Sequence, residues 1–465
     1  MKVIVIGSGI GGCVLSRELL STAIDITLIE AGSKNSPSPY NDLDAYNNQD
    51  SKLMFTRGMG FGGSTNYWHN GLVRISQNDF LNKNNELDWP MPFSEVAHNY
   101  DQAEMLLTNF CKPILKNEFT SFKDDDFIIN DSHFGSNSIR YISSPVNAKI
   151  LVQNQIKIQF DCKQLKLILA DKKVVGIEYY QYGVKVNLAC DILVLACGGL
   201  GSPALLLSEQ NKENFKNKNI GKFLQDHISS TPLRVKFKTI KNIKSFYKKE
   251  SSGFARKGIT FYDSKHELNH IAYPRLALSL RESWHSQELK AKLIAFRHAP
   301  LNLKDFLQLL ANSDLLLESA SHKFNLSFPT KILSFNIVSE QENLASRRIE
   351  IIDGRLKICW DVSSKERQSI LTFCSKIVES LSGEVQSAIL SSPESIPFTA
   401  CAHHSGTMRM SSNAETGVVD VNLKMFGFDN IYVCDGSVLP RTGYANTGLT
   451  IASMAIRLSQ YIKAL

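Results

Sequence analysis

Val3-Ile4-Val5-Ile6-Gly7-Ser8-Gly9-Ile10-Gly11-Gly12 opens the chain and decides its fold. The apolar run is a strand, the glycines form a tight turn, and Cys13 to Leu20 continues as a helix. Gly7 can take the positive φ of the turn, Gly9 lets the backbone approach a pyrophosphate, and Gly12 lets the helix lie close to the strand, with Ser8 and Gly11 completing the turn. The helix N-terminus then faces an anion. A second apolar run, Ile26-Thr27-Leu28-Ile29, ends in Glu30 and Ala31. A carboxylate at the end of the second strand of a βαβ unit suits the two hydroxyls of an adenosine ribose. Strand, turn, helix and an acid 23 residues past Gly7 together predict dinucleotide binding. Glu30 argues against the 2′-phosphate of NADP and leaves NAD and FAD both open.

Composition sets the outer bounds. At 465 residues, 43% hydrophobic and 21% charged, the chain has room for two or three globular domains. A net charge of +7 is small for this length, and the lysines are scattered, which argues against a nucleic-acid partner. The Lys-rich stretch from Lys238 to Lys249 reads as a solvated loop. The nine cysteines show no metal-ligand spacing and read as reduced and structural, and no metal site is expected. The first strand begins at residue 2 and no apolar run approaches 18 residues, so a cytoplasmic chain with no signal peptide and no transmembrane segment is expected.

The stretch from Arg57 to Leu72 contains Gly60-Phe61-Gly62-Gly63-Ser64-Thr65-Asn66-Tyr67-Trp68-His69. Its glycines, among Ser, Thr and Asn, can bring several backbone N–H groups close to a bulky ligand. Phe61, Tyr67 and Trp68 are foreign to flexible linkers, so the stretch reads as a loop covering a cofactor.

From here the sequence resembles the glucose–methanol–choline (GMC) family of FAD-dependent alcohol oxidoreductases, in which such a block lies over the flavin. The resemblance continues at Asp88-Trp89-Pro90 and Tyr100-Asp101-Gln102-Ala103-Glu104. It extends to the apolar run Asp191 to Gly199, to Gly201-Ser202-Pro203, read as a helix start with Pro near the first turn, and to Asn219-Ile220-Gly221-Lys222-Phe223-Leu224-Gln225-Asp226-His227. His403-His404-Ser405-Gly406-Thr407-Met408-Arg409-Met410 is similar to the family's H-x-x-G-T-x-R-M motif and sets His403, not His404, at the catalytic position. A strand ending in Asp435-Gly436-Ser437 follows, then Ala445-Asn446-Thr447-Gly448.

The resemblance implies an FAD site. Gly7, Ser8, Gly9, Gly11, Gly12, Glu30, Ala31, Gly62, Gly63, Ser64, Asn66, Asp435, Gly436, Asn446 and Thr447 are the expected cofactor contacts. Asp435 would accept a bond from a ribityl hydroxyl, and Asn446 matches the second active-site residue. Thr447 stands where many relatives have Pro. The implied activity is oxidation of the CH–OH group of a small alcohol, among them a sugar or polyol. His403 would take the hydroxyl proton while hydride passes to flavin N5, and Asn446 would hold the substrate oxygen. His404, His69 and His227 are read as non-catalytic. The linking His of members with covalent flavin would fall at Tyr67, a poor analogue of imidazole, so non-covalent FAD is expected. Isomerase-type chemistry on FAD, or a flavin-binding protein without turnover, stays open, as does the electron acceptor, whether O₂, a quinone or a protein.

The fold class expected is α/β: a Rossmann-like FAD-binding domain from residues 1–75, 140–227 and 399–465, and a second α+β substrate domain on an antiparallel sheet from 76–139 and 228–398. Within the second part, Arg347 to Trp360 alternates around Asp353-Gly354 as a hairpin would, and Lys365 to Leu381 has helical periodicity. Arg234-Val235-Lys236-Phe237 alternates too, as a short strand. Leu301 to Ala320 reads as a helix packed on the protein, with a lid and a membrane contact as the alternatives.

Overall fold

The computed structural model describes residues 1–20, 23–35, 38–40, 57–68, 70–75, 77–80, 88–113, 115, 120–121, 134–142, 147–241, 246–250, 253–280, 303–304, 307, 317, 329–396 and 398–465. In chain order, the elements that position the site begin with β1 (Lys2–Ile6), α1 (Ile10–Leu19), β2 (Asp25–Ile29), α2 (Tyr100–Thr108), β3 (Phe134–Ile142), β4 (Lys157–Gln159), β5 (Ile192–Leu195), α3 (Gly198–Leu207) and β6 (Ile228–Lys241). They continue with β7 (Gly253–Asp263), β8 (Leu268–Leu276), β9 (Thr330–Ser339), α4 (Ser364–Ser380), β10 (Val385–Leu390), β11 (Ile431–Val433) and α5 (Thr447–Lys463).

Five strands form a sheet in the order β11-β5-β1-β2-β4, every pairing parallel. Val3, Ile4, Val5 and Ile6 are all buried, as are Ile192 to Leu195, because parallel strands are covered on both faces and leave no polar side. From β1 the chain steps through α1 to β2 on one side and later returns to β5 on the other. The strand order reverses there, and the crevice at the carboxyl ends of β1 and β5 is where such sheets bind ligands. Gly7, Cys197 and Asp435 stand at the ends of β1, β5 and β11.

The second sheet has ten strands among the described residues, with a main path β10-β6-β9-β8-β7-β3 ending on Gly71–Leu72. These pairings are antiparallel, as expected for the middle of the chain. A second apolar core lies between this sheet and α4, built on Val235, Phe335, Ile337, Ile370 and Phe373. The start of α4 is fixed by a capping box in which the Ser363 hydroxyl accepts from Glu366 N–H and the Glu366 carboxylate accepts from Ser363 N–H. Arg348–Ile352 and Arg355–Cys359 form the expected hairpin, with Asp353 and Gly354 both at positive φ, the backbone a two-residue turn requires.

Three expectations change. The strand anticipated at Arg234 to Phe237 runs for 14 residues, Ile228–Lys241. The Lys-rich stretch is strand at both ends, since Lys238–Lys241 belongs to β6 and Tyr247–Glu250 pairs with β7, and residues 242–245 lie outside the described residues. Helix α3 starts at Gly198, so Pro203 falls in its second turn rather than its first. Pro203 has no N–H to give the Gly199 carbonyl, and the Thr407 hydroxyl donates to that carbonyl instead, at 2.5 Å. Leu301 to Ala320 lies almost wholly outside the described residues. No described helix is long and apolar enough to cross a membrane.

Candidate active site

The glycine turn adopts the expected backbone. Gly7 has φ +106°, and a Cβ there would overlap the Ala196 carbonyl. A Cβ on Gly11 would overlap the Cys434 carbonyl, and one on Gly12 the Gly7 carbonyl, so α1 lies in contact with both β11 and β1. Gly9 differs. It caps α1 without a side-chain bond, and a Cβ added to it meets nothing within 4 Å. Gly9 thus leaves room for a group beside the N-terminus of a ten-residue helix, a setting that suits a pyrophosphate.

The loop after β2 folds back over this turn. A Cβ on Gly63 would lie 3.2 Å from Gly9 Cα, and Gly62 N–H donates to Ser8 Oγ at 3.1 Å. Asn66 braces the loop, its amide donating to Phe61 O and Gly63 O and accepting from Asn147 Nδ2. Ser64 is exposed, and its Oγ accepts from Gly58 N–H. Ala31 is exposed too, its carbonyl accepting from Lys163 Nζ. The Tyr67 ring lies against Gly58 and burial raises its phenol pKa, while Trp68 lies 3.3 Å from where a Gly448 Cβ would stand. His69 lies outside the described residues.

Both carboxylates expected to meet cofactor hydroxyls hold protein donors. One Glu30 oxygen accepts from Gly32 N–H and Gly60 N–H, and the other from Ser8 N–H and Ser8 Oγ at 2.6 Å. Asp435 accepts from Gly198 N–H and Ser202 Oγ on one oxygen and from Ser437 N–H and Oγ on the other. Four donors fill the acceptor positions of a carboxylate, so a ribose or ribityl hydroxyl would take the place of a serine hydroxyl rather than add to it.

His403 is positioned by β6. Strand Thr399–Ala400 pairs antiparallel with its start, Ile228 facing Ala400, and the ladder runs on into Cys401 N–H donating to His227 O and Ser405 N–H to Gln225 O. This pairing brings the Asp226-His227 dipeptide against residues 401–405. The buried Asp226 carboxylate accepts from Ala402 N–H and His403 N–H, both at 2.9 Å, and from His227 N–H at 2.7 Å. It thereby holds Ala402 at φ +59°, a left-handed conformation that a non-glycine residue keeps only when its surroundings enforce it. Burial pushes the Asp226 carboxyl up to about 7 against the pull of these N–H donors.

The two imidazoles meet directly. His403 Nδ1 lies 3.1 Å from His227 Nδ1, the rings are edge to face with centroids 5.0 Å apart, and His227 Nε2 lies 2.9 Å from Thr442 Oγ1. His227 is fully buried, and burial together with the nearby His403 holds its pKa well below the usual histidine range. His404 Nε2 lies 3.7 Å from Asp226 Oδ2. Burial, then Arg57 and His403, push it down to about 3, so it is a neutral packed histidine.

Thr442 belongs to the turn that leads into α5 and carries Asn446. The turn is anchored by Trp89 Nε1 donating to the Arg441 carbonyl, by the buried Arg441–Glu340 ion pair, and by Asn137 Nδ2 donating to Tyr444 Oη. Tyr100 in α2 bonds Thr450 in α5 through their hydroxyls. Asn446 is half-buried at the N-cap of α5 with no side-chain capping bond, and Thr447 is the buried first residue of that helix. Sequence reading set His227 aside and did not single out Asp226 or Thr442. The pairing that unites them runs through a two-residue strand, too short to leave an alternation pattern, and the available signal is the Asp226-His227 dipeptide that closes the stretch from Asn219.

Residues 371–455 match the family model described as GMC oxidoreductase. A cholesterol oxidase from Acinetobacter baumannii is 36% identical over 92 residues, 20% of this chain and 16% of that protein. A long-chain-alcohol oxidase from Arabidopsis thaliana is 23% identical over 337 residues, 68% of this chain and 43% of that one, so the chain matches less than half the length of these curated relatives. Among solved structures, pyridoxine 4-oxidase from Mesorbium loti superposes with TM-score 0.59 at 16% identity over 100% of this chain and 99% of that one. A formate oxidase from Aspergillus oryzae, studied for its FAD modification, superposes with TM-score 0.57 at 15% identity over 99% and 98%. The family match covers the segment that carries His403, Asp435 and Asn446, and the fold agrees with these solved structures across the whole chain, so in that segment the chain is similar to the GMC oxidoreductases.

Proposed function

We propose that the chain is an FAD-dependent oxidoreductase that oxidises the CH–OH group of a small alcohol, with His403 as the base. The observation that carries this reading is the partly exposed His403, pinned through its backbone by Asp226 and through its ring by His227, on the segment that matches the family. Gly9 and the N-terminus of α1 would hold the pyrophosphate, and the loop around Gly62 and Gly63 would cover the ring system. Bound FAD supplies an acceptor for the carbon-bound hydrogen. An imidazole whose ordinary pKa is near 6.5 is substantially neutral at pH 7 and can take the hydroxyl proton. The Asn446 amide, which neither gains nor loses a proton at these pH values, would hold the substrate oxygen and fix the approach geometry. The named relatives are oxidases, which favours O₂ as acceptor and a hydroxyl-bearing substrate.

Anaerobic mixing with a panel of alcohols and sugars tests the reading through bleaching of the flavin absorption. His403→Ala should retain flavin and slow the bleaching by roughly 10²-fold or more, the usual scale for a positioned acid–base group, with His404→Ala far milder. Absence of bleaching with every substrate would sink the proposal. The same preparation, denatured in acid, should release all its yellow colour as free FAD, since the phenol of Tyr67 is a poor nucleophile toward the flavin. Colour remaining on the polypeptide would point to His69.

A further inference from the structure

We propose that His227, anchored by Thr442, is a positioning residue that fixes His403 in the tautomer carrying its proton on Nδ1, so that the Nε2 lone pair faces the substrate hydroxyl. The inference deepens the proposed function and rests on His403 being the base. The two Nδ1 atoms are 3.1 Å apart, and His227 Nε2 lies 2.9 Å from Thr442 Oγ1.

A hydrogen bond between two Nδ1 atoms needs one proton. If His227 supplied it, His403 would carry its own proton on Nε2 and could not accept another there. If His403 supplies it, the Nε2 lone pair is available, and His227, neutral in its buried position, must carry its proton on Nε2 and donate it to Thr442 Oγ1. This second arrangement alone survives proton transfer. When the substrate hydroxyl gives its proton to His403 Nε2, the His403 imidazolium has N–H groups on both nitrogens, and its Nδ1–H still meets the lone pair of His227 Nδ1. The opposite arrangement would leave two N–H groups facing each other at 3.1 Å. His227 thus plays toward His403 the part that a buried carboxylate plays toward the histidine of a Ser-His-Asp triad, but with no charge.

The surroundings leave it neutral. The titratable groups around the pair are Asp226 on the segment of His227 and His403 and His404 on the facing segment, with Arg57 beyond His404. The carboxylate of Asp226 points to backbone N–H groups, not to either ring of the pair. Thr442 comes from the turn that bears Asn446, so one bond ties the orientation of the base to the placement of the second active-site residue.

Nitrogen-15 NMR of the histidine rings in the holoprotein at neutral pH tests the assignment without turnover. His403 should show its proton on Nδ1 and His227 on Nε2. In Thr442→Val and His227→Leu that preference should be lost, with His403 Nε2–H appearing, while bound FAD stays stoichiometric. His227→Asn, whose amide oxygen can stand where Nδ1 was, should keep it. In flavin-reduction kinetics, His227→Leu should be slower by about 10-fold or more at saturating substrate. Its acid limb should shift to lower pH, because the hydrogen bond favours protonated His403. His227→Asn should retain the wild-type limb. A wild-type His403 carrying its proton on Nε2, or a His403 tautomer unchanged in Thr442→Val, overturns the proposal. Failure of every alcohol to bleach wild-type flavin would instead overturn the functional reading and leave the NMR result to stand or fall by itself.

Discussion

Gly9 and Gly11 stand two residues apart on one turn, yet a methyl group would meet open space at the first and the Cys434 carbonyl at the second. The sequence presents them as equal members of a motif, and the structure separates their tasks. Gly11→Ala should destabilise the protein whether or not cofactor is present, by about 1–3 kcal/mol as for an overpacked interior. Gly9→Ala should leave the apoprotein within about 1 kcal/mol of wild type, since Ala is merely a poorer N-cap than Gly, yet weaken FAD binding sharply. Thermal melts of apoprotein and FAD titrations of both variants check this. Unimpaired binding in Gly9→Ala would remove the pyrophosphate from that position.

At the scale of elements, the link between α3 and the segment that carries His403 is a displaced hydrogen bond. Pro203 withholds the N–H that would close the second turn of α3, and Thr407 reaches from the HxxGT motif to the Gly199 carbonyl. Thr407→Val should cost about 1–3 kcal/mol for the unsatisfied buried carbonyl. Pro203→Ala in the same chain restores an N–H to that carbonyl, so urea unfolding of the double variant should recover part of the loss. Additive effects would break the link. Such cross-chain bonds also mark where sequence reading stops. The glycine turn, the hairpin at Asp353-Gly354 and the capped helix α4 were legible because each is written in local backbone chemistry. The Thr399–Ala400 ladder and the Thr442 bond were not, because neither leaves a local signature, and the two carboxylates Glu30 and Asp435 drew donors that no spacing announces.

Among the described residues of the whole molecule, three buried imidazoles shape the response to acid. Burial lowers His227, brings His270 down to about 4 and His404 to about 3. Each takes up its proton on unfolding before it does when folded, so each contributes stability that is present above pH about 6.5 and lost as pH falls toward the folded value. Asp226, raised to about 7, acts in the opposite sense, its contribution lost as pH rises from about 4. His270 is remote from the chemistry, held between the Ser339 and Ser369 hydroxyls. In His270→Asn the loss of stability between pH 6.5 and 4 should flatten by up to about 1.4 kcal/mol per pH unit. Denaturant unfolding at pH 7 and pH 5 measures it, and an unchanged slope would mean that His270 is charged in the folded protein.

The ladder that unites His227 with His403 spans 176 residues, and the bond from Gly198 to Asp435 spans 237. At ribosomal rates of about 5–20 residues per second, the nucleotide turn leaves the ribosome roughly 20 to 90 s before the last strand and helix that it packs against. Until then the face of α1 bearing Gly11 has neither Cys434 nor Ile451 to lie against, and that surface of the nascent chain stays uncovered. The glycine turn therefore has to wait, already made, for the distant segment against which it packs, and the site exists only once the two have met.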